Sequence, residues 1–181
     1  MPTNDEILEQ GLRKAKQAIY KAVWRQMKSL SVELVKRAVE DYDGGNLTGN
    51  TITSISAGIY DIDSPFPLIL NAVDVVGLKE PIWHKMSAPN IWYGEDYDGN
   101  KRRIFRADIV TDEDFGTNTS IRFLLSYRLP PSYSLGIVVC TGTEYSEYLT
   151  KADALKYDVL ISAAKAAPRM AEAHWRKIKI D

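Results

Sequence analysis

Two histidines, His84 and His174, and a single cysteine, Cys140, are the residues of this 181-residue chain from which nucleophilic, proton-transfer or transition-metal chemistry would ordinarily be built. Neither histidine has a second ligand at H-x-x-x-H or C-x-x-C spacing, so no metal is expected. Cys140 lies in the apolar run "GIVVCTG", where a lone thiol reads as a small core residue, and it has no second cysteine in the chain to pair with. There is no G-x-S-x-G elbow and no phosphate-binding glycine pattern, and two histidines leave little choice of base for any serine or threonine. The acidic clusters "DID" (Asp61, Asp63), "EDYDGN" (Glu95, Asp96, Asp98) and "TDEDFG" (Asp112, Glu113, Asp114) do not complete a calcium-loop pattern and read as solvated turns. A hydrolase with paired acids stays open only because spacing in sequence does not determine spacing in a fold; it predicts loss of activity on one Asp or Glu substitution. The expectation is a protein without catalysis or cofactor.

Binding chemistry is better represented. Trp83, Trp92, Tyr93 and Tyr97 stand near Glu95, Asp96 and Asp98, in a stretch from about 79 to 101 that is long for a plain connection. These aromatics either cap the core or form a contact surface for another chain. Beside the carboxylates they also fit a small-molecule or carbohydrate-binding module, which would be a monomer with a ligand-dependent thermal shift. "KRRIFR" at 101–106 reads as a strand with Arg103 and Phe105 on one face, and as an edge strand guarded by charge more readily than as a phosphate site.

The length suits one domain that buries a sizeable core without staples. A net charge of −1 conceals an uneven distribution. Residues 1–42 carry eight Lys/Arg against six Asp/Glu, residues 43–150 eight against fourteen, and residues 151–181 seven against four. Basic ends flank an acidic middle, either as solvated faces or as surfaces that meet on neighbouring subunits. A nucleic-acid reader usually carries a basic surplus throughout. The opening "MPTNDEILEQ" is acidic and polar, and no apolar stretch reaches bilayer length, so neither signal peptide nor membrane span is expected and the chain is placed in a cytoplasm unless a larger particle carries it.

The elements that must position these residues are legible in outline. Thr3 and Glu6 form a capping box, and a helix should start there. Leu8, Leu12, Ala15, Ile19, Ala22, Val23, Met27 and Leu30 follow at three- and four-residue steps, then Leu34, Val35, Ala38 and Val39, giving one long helix with a soft point near 29–31 or two helices, ended by "DYDGG". Strands are predicted near 51–60, 67–76, 102–110, 120–128 and 135–142. From about Lys151 a helix returns, with Pro168 expected to kink or split it. The reading is an α+β protein of one domain overall. A helical segment at 1–43 leads into a mostly antiparallel β-sheet or small sandwich within 44–150, and a kinked C-terminal helix at 151–181 packs on it.

"NLTGNTITSI" at 46–55, with Thr48, Gly49, Ser54 and Ile55, and "TEYSEYL", with Tyr145, Ser146 and Tyr148, occur in an order of helix, T-G-x-x-x-x-S-I, strands, Y-S-x-Y and helix. That order resembles the head-to-tail joining proteins of tailed bacteriophages, also called tail-completion or neck proteins. The sequence departs from the family pattern at Thr51, where a leucine is usual, and at Leu149–Lys151, where Glu-x-Gly is common. What the resemblance implies is a structural virion protein that forms a closed ring, commonly of six or twelve copies, between portal or adaptor and tail proteins. Genomic DNA would pass through the lumen without sequence-specific binding, and assembly would begin in the host cytoplasm. The interface residues expected are Thr48, Gly49, Asn50, Ser54 and Ile55 at the turn-strand junction and Tyr145 with Tyr148, together with Trp83, Trp92 and Tyr93 of the aromatic stretch. Gly49 permits a sharp turn, and the Thr-rich alternation after it suits an edge strand available for pairing.

Overall fold

A computed structural model describes residues 3–42, 50–78, 83–85, 91–95, 101–105, 116–142 and 160–179. The first element, α1 (Asn4–Glu40), is a single helix of 37 residues, about 55 Å long at 1.5 Å per residue. It opens with the expected capping box: the Glu6 amide donates to the Thr3 hydroxyl at 3.3 Å, and the Thr3 amide donates to the Glu6 carboxylate at 2.7 Å. The soft point near 29–31 does not break it. Ser31 is buried and donates its hydroxyl to the Met27 carbonyl one turn back at 2.9 Å, which satisfies the polar group inside the helix.

After α2 (Asn50–Thr53) come β1 (Ser56–Asp61), β2 (Leu68–Asn71) and α3 (Ala72–Val76), then β3 (Trp83–Lys85), β4 (Ile91–Glu95) and β5 (Lys101–Phe105), and last α4 (Gly116–Ser126), β6 (Leu135–Cys140) and α5 (Ile161–Trp175). The described strands form two antiparallel three-stranded sheets, ordered β2-β1-β6 and β3-β4-β5. The expected α+β class is observed.

The first sheet is covered on both faces. Ile55 and Ala57 turn toward α1 and α5, meeting Leu30, Leu34, Val35, Ala38 and Ala163. Tyr60 and Cys140 turn the other way and meet Leu124 of α4. Period-two alternation thus sends one set of β1 side chains to each layer of helix. Every residue from Thr51 to Tyr60 is buried as a result.

Several sequence expectations are corrected. β1 is the central strand, with Ala57 opposite Leu70 on one side and Val139 on the other, so it is not an edge available for pairing. The strand predicted at 120–128 is α4: its buried positions Thr117, Ser120 and Leu124 recur at helical steps, while Phe123 and Leu125 are exposed. The strand predicted at 51–60 begins as α2, and that at 67–76 ends as α3. There the Asn71 side chain accepts from the Asp74 amide at 2.8 Å, and Gly77 closes the helix at a positive φ of 77°. The long connection predicted at 79–101 contains β3 and β4. α5 continues through Pro168 without a split, and a kink there is not shown.

Candidate functional site

Within the segment that carries the family resemblance, Thr51 to Ile55 are buried and continue into the buried strand β1. Ser54, at the switch from α2 to β1, shares a hydrogen bond of 2.7 Å with the Thr141 hydroxyl and donates to the Thr51 carbonyl at 2.8 Å. Hydroxyls from α4 complete the cluster: Thr117 donates to the Thr53 carbonyl at 3.0 Å, and Ser120 donates to the Ser54 carbonyl. These bonds satisfy backbone groups stranded between helix and strand, where regular pairing is interrupted. The hydroxyls of Ser54, Thr117 and Ser120 are donated to carbonyls, so in this arrangement they hold the α2–β1 junction together.

Ser54 and Ile55 each have 0% of their surface exposed, so as interface residues they are corrected to core residues. The physical reason is the central position of β1 beneath α4 on one face and α1 on the other. Asn50 opens α2. Thr48, Gly49, Tyr145 and Tyr148 lie outside the described residues. Trp83 is on β3, and Trp92 and Tyr93 are on β4. Register brings Trp83 opposite Gly94, Trp92 between Lys85 and Ile104, and Tyr93 between His84 and Arg103. β5, which carries the cations of "KRRIFR", is an outer strand of that sheet, in agreement with the charged edge expected. Tyr97, Asp96 and Asp98, the rest of the expected sugar platform, lie outside the described residues.

Exposed apolar side chains among the described residues include Phe66 and Tyr133 in connections and a series on α1. The helix is exposed from its start to Ile19 except at the half-buried Ala18, and it enters the core only from Ala22 onward. Leu8 is 63% exposed, Leu12 55% and Ile19 44%, although the periodicity predicts them on the buried stripe. At 100° per residue, Leu8, Leu12, Ala15 and Ile19 continue toward the N-terminus the same face that carries Ala22, Gln26 and Leu30. α5 packs on α1 antiparallel: Leu160 and Ala163 share a core cluster with Leu34 and Ala38, His174 bonds to Gln26, and Ile178 beyond the helix end lines a cleft with Ala22 and Gln26.

His174 fastens this helix pair. Its ring is 2% exposed, with Nδ1 2.9 Å from the Gln26 amide oxygen and Nε2 3.1 Å from a Glu33 carboxylate oxygen, the latter close in distance but outside hydrogen-bond geometry. Along α5, His174 is buried and its neighbour Trp175 is exposed. Between α1, α5 and β6 lies a groove of ≈ 570 Å³ walled by apolar side chains, among them Leu30, Leu34, Ile137, Val139 and Ala167. The run "AAKAAP" is its signature in the sequence, since small residues on one helix face leave room there.

Among the described residues three groups have perturbed ionisation. Tyr20 is pushed up to about 12, chiefly by the hydrogen bond its hydroxyl donates to the Asp61 carboxylate, which ties α1 to the end of β1. Burial pushes Tyr60 up to about 12 and Cys140 up to about 11. All three favour the neutral form, the opposite of an activated nucleophile. Among the described residues no cluster of His, Cys, Asp or Glu could hold a metal ion, and no helix is long and apolar enough to cross a membrane. Comparison with protein-family models, with curated proteins and with solved structures finds no match to this chain.

Proposed function

We propose that this chain is a structural protein of a tailed-phage neck, a head-to-tail connector or tail-completion protein that forms a ring and joins portal-side to tail-side components. The observation that carries the reading is the outer half of α1, where Leu8, Leu12 and Ile19 form an apolar stripe in line with a packed face and yet stand exposed. A helix of that kind is completed by another chain. A long first helix, strands and a last helix among the described elements are compatible with the order on which the family resemblance rests. Catalysis plays no part in this reading. A conduit for DNA gains from weak attraction to its cargo, and the acidic surplus of residues 43–150 is compatible with that role.

The test is the mass of the purified protein by light scattering, followed by negative-stain images of large species, alone and with portal and tail proteins of a tailed phage. A closed ring, or a ring formed only on the portal, is the expected result. A monomer that binds neither partner overturns it. The second reading, a small-molecule module, is favoured by the groove, whose volume falls in the range of ligand pockets. It predicts a monomer whose melting temperature rises with ligand.

A further inference from the structure

We propose that the outer halves of α1 from two copies of this chain pair antiparallel about a two-fold axis, each covering the apolar stripe of the other. The pairing goes beyond the ring reading, because it holds whether or not the pairs build anything larger.

Leu8, Leu12, Ala15, Ile19 and Ala22 follow one another at steps of four, three, four and three residues, which is the heptad seam of a coiled coil. The first four are exposed and Ala22 is buried. An antiparallel pair sets Leu8 against Ile19 of the second copy and Leu12 against Ala15, and the two-fold axis repeats both layers. In that register Asp5, in the first turn of α1, comes opposite Ala22 of the second copy, which is where the chain's own cover starts with Ile178. The uncovered length of one helix is therefore the length that a second uncovered helix fills.

Charge selects the antiparallel direction. α1 starts acidic, with Asp5, Glu6 and Glu9 ahead of any Lys or Arg, and then turns basic with Arg13, Lys14, Lys16 and Lys21. Antiparallel pairing lays the acidic end of each helix along the basic stretch of the other. Arg13, Lys14 and Lys21 lie off the seam, whereas Glu9 and Lys16 flank it on one side, so each Glu9 comes beside Lys16 of the second copy. On the other side Gly11 comes beside Ala18, and small residues there let the helices approach closely. Asp5 arrives at the cleft that Ala22 shares with Arg25, Lys177 and Lys179, all three exposed cations. A parallel pair would instead set Asp5 against Asp5 and the basic clefts side by side, with Glu9 and Lys16 apart. Like charges placed so disfavour the wrong arrangement, and complementary ones fix the register.

The experiment exchanges the flanking charges. Glu9 and Lys16 are both exposed, so folding should be retained. Glu9→Lys places cation against cation twice in a pair, Lys16→Glu places acid against acid twice, and a mixture of the two variants restores both contacts. In sedimentation equilibrium each variant alone should self-associate about tenfold more weakly than the wild type, and the mixture should recover wild-type association as a mixed species. Mild oxidation reads the direction, with buried Cys140 as a silent background. Leu8→Cys mixed with Ile19→Cys should form the mixed disulfide about tenfold faster than Leu8→Cys links to itself, because only the antiparallel pair holds those two thiols together. A wild-type chain that stays monomeric at millimolar concentration, Leu8→Cys chains that link best to themselves, or a mixture that associates no better than its components overturns the pairing. A ring that neither charge reversal disturbs overturns the pairing and leaves the neck reading standing. Linked pairs that never join a larger assembly, alone or on a portal, keep the pairing and count against the neck reading.

Discussion

Tyr60 of β1 donates its phenol hydrogen to the Leu124 carbonyl oxygen of α4 at 2.7 Å, joining the central strand to the helix laid over it. Leu124 is in the last turn of α4, where carbonyls have no partner within the helix, so the phenol caps a group that would otherwise be buried unpaired. Tyr60→Phe keeps the ring and loses the bond. The expected cost is about 1–2 kcal/mol, read as a lower urea midpoint with an unchanged slope.

Glycine is required where α4 comes closest to the sheet. A Cβ on Gly58 would lie 2.8 Å from Tyr60 Cε2 and 3.1 Å from Leu124 Cδ2, whereas one on Gly142 would collide with the Gly116 carbonyl oxygen and sit 2.6 Å from the Ser120 amide nitrogen. Side chains can shift by a few tenths of an ångström; backbone in a packed helix shifts less. Gly58→Ala should cost about 1–3 kcal/mol, the usual range for overpacking. Gly142→Ala should cost more, and thermal melts of the two variants side by side give the order.

Stability and assembly should separate on substitution. Ile55→Ala opens a cavity under α1 and should lower stability by about 2–5 kcal/mol. Leu12→Asp changes an exposed position and should leave the unfolding midpoint nearly unchanged while reducing self-association or partner binding at least tenfold. Denaturant titration and light scattering on the same two proteins make the comparison. Equal assembly by wild type and Leu12→Asp would remove α1 from the interface.

Stability should fall in mild alkali. Burial raises Cys140 from 9.0 to about 11 and Tyr60 from 10.0 to about 12, so each ionises more readily in the unfolded chain. Their contribution is fully present below pH 9, and it declines as pH rises through 9 to 11 for the thiol and 10 to 12 for the phenol. The urea midpoint should be flat with pH from 6 to 8 and drop above 9. Cys140→Ala should remove the part of that drop that begins near pH 9. For the same reason Cys140 should resist thiol reagents at pH 8 until the chain is unfolded.

The sequence by itself determined the features whose cause is local. The capping box of Thr3 and Glu6 and the three- and four-residue spacing of apolar positions specify α1, because a helix end and a helix face are set by neighbours within a turn or two. The apolar run at Leu135–Cys140 specifies β6, and the helical pattern that contains Ile161–Trp175 specifies α5. The N-cap at Asn71 and the glycine at 77 were equally local and mark α3, but the β-rich texture of 67–76 hides them.

Only the tertiary structure decided the rest. Whether "SIRFLLSYR" becomes strand or helix depends on which side chains find a surface to cover them; Leu124 packing on Tyr60, with the hydroxyls of Thr117 and Ser120 bonded to the carbonyls of Thr53 and Ser54, selects the helix. Ser54 and Ile55 are core residues because β1 pairs on both sides and is covered on both faces, and strand order is a property of distant segments. The periodicity that marks Leu8 and Leu12 as apolar-face positions says nothing of what lies opposite. In this chain α5 and the residues that follow it reach that face only as far as Ala22, which leaves the outer half of α1 as the surface on which the proposed assembly depends.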